Sequence, residues 1–130
     1  MFQLSKSFTF EAAHMLPKHD GKCRRLHGHS WKMRVVISGE SLHREGPKSG
    51  MLIDFADISN KVKRLVYEKL DHHYLNDTTG LENPTSEELS CWVYNQLVTR
   101  IPNLQAVEID ETCTSSCRYQ PWKNPSLYPQ

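Results

Sequence analysis

The alternation of apolar and polar side chains in two stretches limits what this chain can fold into more than any other feature. In the first stretch, from Phe2 to His14, most even positions are apolar and the odd positions are mainly polar. In the second stretch, which ends at Gly39, the odd positions carry the apolar side chains Trp31, Met33, Val35 and Ile37. A two-residue period is typical of a β-strand with one buried face. The sequence therefore predicts two half-buried strands, separated by the polar segment 17–25.

Helical periodicity follows in two later segments. Between about residues 56 and 70, apolar side chains recur at helical spacing and form one stripe: Ile58, Val62, Leu65, Val66 and Leu70. Thr85 and Glu88 then fit a capping box, in which each side chain accepts a hydrogen bond from a free amide of the first helical turn. A second helix is predicted from there to about Arg100, with four side chains facing inward: Leu89, Trp92, Val93 and Leu97.

The remaining segments complete an α+β domain. Residues 39–50 are rich in Gly, Pro and charge, which favours a long hairpin loop, and residues 51–55 are interpreted as a short extended piece. Residues 76–84 are rich in turn formers, and residues 105–112 alternate as a third strand. The order strand, strand, helix, helix, strand predicts an antiparallel sheet with two helices on one face.

One domain accounts for a chain of 130 residues. We predict that it covers residues 1–118 and is followed by an irregular, proline-rich tail over residues 119–130. A small open sheet leaves unpaired edges and too little core, and subunits that join their sheets edge to edge repair both defects. The sequence therefore predicts a homo-oligomer in which sheets close into a barrel.

The charge balance excludes some classes of partner. Lys plus Arg number 16 and Asp plus Glu number 15, so no strong field favours nucleic acid or a membrane surface. No apolar run approaches the roughly 20 residues of a membrane span, and the first residues lack the pattern of a secretory signal. The cysteines, which are expected to be free thiols, are few and unevenly spaced: Cys23, Cys91, Cys113 and Cys117. A cytoplasmic protein is predicted.

Three histidines are the strongest candidates for chemistry. His14 continues the apolar parity of the first strand, whereas His27 and His29 share the apolar parity of the second. Gly28 between them lets a metal or a neighbouring backbone come close. Three neutral imidazoles without a fourth protein ligand describe a catalytic zinc site that keeps one position open. The alternative is that each histidine is an isolated, packed side chain.

Four further side chains are candidates for catalysis. Cys23 lies beside cationic residues, which favour a thiolate that can act as base or nucleophile, although a loop cysteine or a fourth zinc ligand fits the same position. Asp71 and His72 could transfer protons together, or simply be polar residues at a helix end. Glu111 lies on the apolar parity of the last strand, where a buried carboxylate needs a partner. That partner is either a flat, amidine-like ligand edge or an Arg or Lys of the chain.

Five short motifs in their order resemble one enzyme family. They span residues 8–112: Phe10-Glu11-Ala12-Ala13-His14, Cys23-x-x-x-His27-Gly28-His29, Leu70-Asp71-His72-His73-x-Leu75-Asn76, Asn83-Pro84-Thr85-Ser86-Glu87 and Glu111-Thr112. The set is similar to that of the 6-pyruvoyl-tetrahydropterin synthase family. The resemblance implies the tunnelling fold, or T-fold, with trimeric barrels stacked into a hexamer and active sites between subunits.

The resemblance also implies a role for each matching residue. His14, His27 and His29 would bind Zn²⁺, and Cys23 would accept a proton. Asp71 and His72 would form a proton relay, whereas Glu111 would anchor the pterin ring in a pocket lined by Thr112 and Phe55.

Two activities occur in this family. Pyruvoyl-type members remove triphosphate from 7,8-dihydroneopterin triphosphate and rearrange its side chain. Carboxy-type members also break a side-chain carbon bond and release acetaldehyde, in a route to 7-deazaguanine and queuosine. The segments 70–77, 80–87 and 111–117 resemble the bacterial carboxy type. Lys18, Lys22, Arg24 and Arg25 could meet the triphosphate, with solvated surface charge as the alternative for at least half of them.

Overall fold

The computed structural model describes residues 1–121 and contains one sheet of five strands. The strands are β1 Phe2–His14, β2 His27–Gly39, β3 His73–Tyr74, β4 Leu104–Thr112 and β5 Ser115–Tyr119, in the spatial order β3-β1-β2-β4-β5. The helices are α1 Phe55–Val62, α2 Glu68–Leu70, α3 Leu75–Thr79 and α4 Ser86–Leu97. They pack on one face of the sheet, and the predicted α+β class is confirmed.

The sheet is mixed rather than wholly antiparallel. The pairs β1–β2, β2–β4 and β4–β5 are antiparallel, whereas β3 pairs parallel to β1 at only two positions, Ala12–His73 and Ala13–Tyr74. Strand β5 lies in a segment for which the sequence predicted no element. Residues 40–54 contain no strand, but the predicted loop folds back on itself before α1: the N–H of His43 donates to the Met51 carbonyl at 2.9 Å, and the N–H of Gly50 donates to the His43 carbonyl at 2.7 Å. Of the predicted tail, Tyr119 ends β5 and residues 122–130 lie outside the described residues.

The two alternating stretches form the centre of the sheet, as predicted. Their register places Phe10 opposite Trp31 and His14 opposite His27, so the apolar parities of both strands share one face. The rings of Phe10 and Trp31 stack with centroids 5.9 Å apart. This face is buried against α1 and α4, and its burial supplies most of the hydrophobic stabilisation of the domain.

The helical stripe departs from a regular α-helix in one turn. Four stripe residues, Ile58, Val62, Val66 and Leu70, are spaced by four and are fully buried. In an α-helix such a repeat drifts by about 40° at each step, because a turn holds 3.6 residues. Between α1 and α2 the segment Lys63–Tyr67 is π-helical, and the N–H of Glu68 donates to the carbonyl of Lys63. This wider turn offsets the drift and keeps the stripe facing the sheet.

The start of α4 confirms half of the predicted capping box. The Thr85 hydroxyl accepts a hydrogen bond from the Glu88 N–H at 3.1 Å. The N–H of Thr85, which the Glu88 carboxylate was expected to bind, donates instead to the Asn83 carbonyl at 2.8 Å. The turn before the helix therefore satisfies the second amide. Among the described residues no helix is long and apolar enough to cross a membrane.

The helix-free face of the sheet carries a row of charged side chains. Glu108 of β4 lies in register between Arg34 of β2 and Arg118 of β5, with distances of 2.6 and 3.1 Å to the two guanidinium groups. The hydrogen bond from Arg34, assisted by Arg118, holds the pKa of Glu108 below its ordinary value of 4.5. Because the carboxylate has a lower pKa in the folded state than in the unfolded state, its ionised form stabilises the fold at pH values above 4.5. This stabilisation is lost as the pH falls through the lowered pKa of the folded state.

We expect Glu108→Gln to lower the free energy of unfolding by about 1 kcal/mol at pH 7, because the row loses its only carboxylate. At about pH 3 the difference from the parent chain should shrink, since the parent carboxylate is then also losing its charge. Urea denaturation at both pH values measures the two differences. Glu45→Gln, in an exposed loop, is the matched control. Equal destabilisation by Glu108→Gln at both pH values would contradict the assigned role.

Candidate metal centre and active site

The structure brings the three predicted histidines together at one end of the β1–β2 pair. His14 is the last residue of β1, and His27 and His29 are the first and third residues of β2. The ring centroids lie 4.5 Å apart for His14 and His27, 5.2 Å for His14 and His29, and 4.9 Å for His27 and His29. The strand register produces this triangle, because it places imidazoles of equal parity on one face.

Backbone carbonyls select which ring nitrogens face the centre of the triangle. Nδ1 of His14 donates to the Pro84 carbonyl at 2.9 Å, and Nδ1 of His27 donates to the Arg25 carbonyl at 2.7 Å. A carbonyl can only accept, so the Nε2 atoms of these rings are left as electron-pair donors when the rings are neutral. Histidines that bind metals are oriented by outer hydrogen bonds of this kind.

Glu111 completes a four-residue group whose ligand atoms all lie within 4.8 Å of one another. Its Oε1 lies 3.3 Å from Nε2 of His14 and 3.5 Å from Nε2 of His29. Within residues 1–121, Glu111 forms no ion pair with Arg or Lys, so the alternative of an internal cationic partner is not met. The carboxylate instead faces the imidazoles.

These contacts need a cation to be favourable. Burial lowers the pKa of both His14 and His29, which keeps the two rings neutral near pH 7. The neutral Nε2 of His14 and the Glu111 oxygen are then both acceptors, and they point at one another. The Nε2 atoms of His14 and His29 are also buried without a hydrogen-bond partner. Buried imidazole acceptors with no donor fit a metal ion that the histidines bind, with the Glu111 carboxylate beside it, and imidazole is a ligand that zinc accepts.

A second cluster forms around Asp71 and His72. Oδ2 of Asp71 lies 3.0 Å from Nδ1 of His72. The backbone of Glu11 holds both residues: its N–H donates to Oδ1 of Asp71 at 3.0 Å, and its carbonyl accepts the N–H of His72 at 2.6 Å. Because Glu11 is on β1, the same strand positions this pair and His14.

The electrostatics of the pair suit an ionised carboxylate beside an exposed imidazole. The N–H of Glu11, with smaller contributions from His72 and Tyr67, lowers the pKa of Asp71. The Tyr67 hydroxyl donates its single hydrogen bond to the Thr9 carbonyl of β1 at 2.9 Å. The His72 side chain is 78% exposed, and its backbone has a left-handed φ of 60°. Such a conformation is strained for a non-glycine residue and persists where surrounding contacts enforce it, often at functional sites.

An open hollow of about 510 Å³ joins the two clusters. His29 lines it from β2, and His72 lines it from the segment before β3. The hollow also has contributions from Glu11, Ala12, Ala13, Gly28, Ser30 and His73. The hollow is therefore bordered by one residue of each cluster, His29 and His72.

Cys23 lies in a short 3₁₀ turn, Lys22–Arg24, within the loop between β1 and β2. Its carbonyl accepts a hydrogen bond from the Leu16 N–H at 3.0 Å, and its thiol is partly buried. The four-residue metal group does not include Cys23. The arrangement therefore favours a free thiol over the alternative of a fourth zinc ligand.

The structure does not bring the two expected pocket residues to Glu111 within one chain. Phe55, the first residue of α1, lines a separate apolar hollow of about 250 Å³ together with Phe2 and Leu52. Thr112 lines another hollow with Trp31 and Lys32. Their contact with a pterin ring stays a prediction.

Sequence reasoning missed three supporting contacts at the site. These are the Pro84 carbonyl that orients His14, the backbone of Glu11 that holds Asp71 and His72, and the Tyr67 hydroxyl beside Asp71. Two of the three use main-chain atoms, which every residue type carries, so no residue pattern could have indicated them. In the sequence, Tyr67 is only an aromatic residue next to the helical stripe, and nothing there indicates a contact with Asp71.

The chain is similar to known enzymes over most of its length. The family described as 6-pyruvoyl tetrahydropterin synthase matches residues 3–121. A 6-carboxy-5,6,7,8-tetrahydropterin synthase of Synechocystis is 48% identical over 120 residues, covering 92% of this chain and 93% of the relative. The protein of the same name from Haemophilus influenzae is 35% identical over 141 residues, and the match covers 92% of this chain and 99% of the relative.

The fold is also that of solved members. The structure of Caenorhabditis elegans 6-pyruvoyl tetrahydropterin synthase superimposes with a TM-score of 0.78 at 24% identity, covering 93% of this chain and 96% of that one. That likeness confirms the predicted T-fold of the subunit. From the match over residues 3–121 and the two close relatives, this chain belongs to the 6-pyruvoyl tetrahydropterin synthase family.

Proposed function

We propose that this chain is a zinc-dependent 6-carboxy-5,6,7,8-tetrahydropterin synthase that acts in queuosine biosynthesis. It converts 7,8-dihydroneopterin triphosphate into 6-carboxytetrahydropterin, acetaldehyde and triphosphate, with one water consumed overall. The observation that carries the proposal is the 48% identity to a relative of that name over nearly the whole of both chains. The converging imidazoles and the Asp71–His72 pair supply the side chains that such a lyase needs.

The metal would be held by His14, His27 and His29. Zinc bound there would lower the pKa of the substrate's side-chain hydroxyls and stabilise developing negative charge. Burial lowers the pKa of His14 and His29, so these two imidazoles need not lose a proton before they bind the metal.

The protein's own groups handle the protons and orient the ring. The Cys23 thiolate accepts a proton from the substrate side chain. His72, oriented by the Asp71 carboxylate, passes a second proton. Glu111 accepts two parallel N–H bonds from the aminopyrimidinone edge of the pterin, which keeps the side chain within reach of these groups.

We propose a homo-oligomer of two stacked trimers with active sites between subunits. Strand β1 pairs with β3 only at Ala12 and Ala13, so most of its outer edge is free in the protomer. Strand β5 forms the opposite edge of the sheet. Pairing of these edges between subunits would satisfy the free backbone groups of both. The cytoplasm is the expected compartment, where the four free cysteines would stay reduced.

Product analysis tests the proposed reaction. Purified chain loaded with zinc is incubated with 7,8-dihydroneopterin triphosphate, and acetaldehyde and 6-carboxytetrahydropterin are quantified. We expect equal amounts of the two products. A pyruvoyl product without acetaldehyde would assign the other family activity, and no product from a metal-loaded, folded chain would indicate a zinc-binding protein that has lost the chemistry.

A further inference from the structure

The loop between β1 and β2 carries a concentration of positive charge next to the metal centre. Lys18, Lys22, Arg24 and Arg25 fall within it, against one acid, Asp20. Such a loop could be solvated surface, or it could bind an anion. Three structural observations favour the second reading.

The first observation is that three of these cations lack a partner. Lys22, Arg24 and Arg25 are exposed, and within residues 1–121 no carboxylate lies within 4.0 Å of their charged groups. Only Lys18 approaches an acid, Glu82, at 3.8 Å. The three unpaired cations are therefore available to a polyanion without breaking an existing ion pair.

The second observation is that hydrogen bonds attach the loop to the metal centre. The Arg25 carbonyl accepts Nδ1 of His27 at 2.7 Å, and the Cys23 carbonyl accepts the Leu16 N–H at 3.0 Å. Two hydrogen bonds close the 3₁₀ turn: the N–H of Arg24 donates to the Gly21 carbonyl at 3.2 Å, and the N–H of Arg25 donates to the Lys22 carbonyl at 3.0 Å. The loop thus holds a fixed place beside His27, and little ordering is needed when an anion binds.

The third observation is the order of groups along β2. Met33 pairs with Ile109, so Glu111 lies level with Trp31 in the antiparallel register. From Trp31 towards the N-terminal end of β2, the strand carries first His29 and then His27, and the basic loop lies directly before His27. The backbone of Glu111 lies about 13 Å along the strand from that of His27, and its carboxylate reaches back to within 4.8 Å of the ligand nitrogens of the imidazoles. A molecule with its ring at Glu111 and its side chain over the imidazoles directs its far end towards the loop.

We propose that Lys22, Arg24 and Arg25 form the subsite for the triphosphate of the substrate. This inference rests on the proposed function for the identity of the ring and side chain, whereas the anion subsite itself is testable without turnover. Arginine forks and a lysine ammonium suit a chain of phosphates, because each phosphate offers several charged acceptors.

The test compares two double variants of the full chain, both with metal bound. Arg24→Ala/Arg25→Ala removes the arginines and leaves the Arg25 carbonyl that binds His27. Arg64→Ala/Arg100→Ala makes the same change in net charge at exposed positions of the helical side and is the control. Calorimetry measures the Kd of inorganic triphosphate and of 7,8-dihydroneopterin, which has no phosphate, and steady-state kinetics measures KM and kcat for the triphosphate substrate.

We expect the loop variant to weaken triphosphate binding and to raise KM by about tenfold or more, with kcat changed by less than about threefold. The affinity for 7,8-dihydroneopterin should not change, and the control should resemble the parent chain. Unchanged triphosphate binding, or an equal loss for the phosphate-free compound, would overturn the subsite. If the parent chain has no turnover but the loop variant alone loses triphosphate, the subsite stands and the proposed function fails.

Discussion

His27→Ala is expected to leave the protein without bound metal and to lower kcat/KM by about a thousandfold or more, because the ion supplies several kcal/mol of charge stabilisation. His27 is the ligand that the loop carbonyl of Arg25 orients, and its ring lies within 5 Å of both other imidazoles, at 4.5 and 4.9 Å. Two histidines and a carboxylate remain in the variant, and they hold the ion too weakly to keep it through dialysis. Elemental analysis after dialysis and steady-state turnover measure the two effects.

His43→Ala is the matched control for this change. His43 is exposed in the loop after β2 and lies outside the four-residue metal group. It should keep the parent metal content and turnover, and circular dichroism should show that both variants are folded. If His27→Ala retained one firmly bound ion per chain and the parent turnover, the three-histidine centre would not be the active metal site.

Cys23→Ala is expected to keep the metal and to lower kcat by between about a hundredfold and ten thousandfold, the usual range for loss of a general base. The metal should stay because Cys23, in the loop before His27, does not belong to the four-residue metal group. The turnover should fall because the thiol is the proposed proton acceptor. Metal content and kcat, measured on the same preparation, separate proton transfer from metal binding.

Cys91→Ala is the matched control, because Cys91 is partly buried like Cys23 but lies in α4, outside the metal group. Cys91 lies in α4, and its sulfur accepts a weak hydrogen bond from Asn95 at 3.6 Å. Its replacement should affect neither metal nor turnover. Loss of metal in Cys23→Ala would make Cys23 a ligand, whereas retained turnover would assign the proton to another group.

The sequence predicted the parts of the fold that depend on apolar periodicity. The bounds of β1 and of both long helical segments agree with the structure to within a few residues, because their buried faces impose a regular pattern. Strand β5 was not predicted because only two of its five residues, Cys117 and Tyr119, are partly buried, which is too few for an apolar alternation. Backbone pairing with β4 is what makes it a strand.

The site was predicted in outline for a similar reason. Equal parity on paired strands was enough to bring His14, His27 and His29 together. The position of Glu111 against these rings depended on the register of β4 with β2, which no local pattern contains. Contacts between distant segments, such as Pro84 with His14, likewise required the tertiary structure.

The π-helical turn at Lys63–Tyr67 gives the chain a place where its length can change. A turn of this kind holds one residue more than an α-helical turn, so deletion of an exposed residue such as Arg64 would convert it into a regular turn. The flanking segments would keep their positions, and the Asp71–His72 pair would stay against β1. Relatives whose chains differ by one residue in length between the start of α1 and this pair can therefore keep the same proton-transfer geometry.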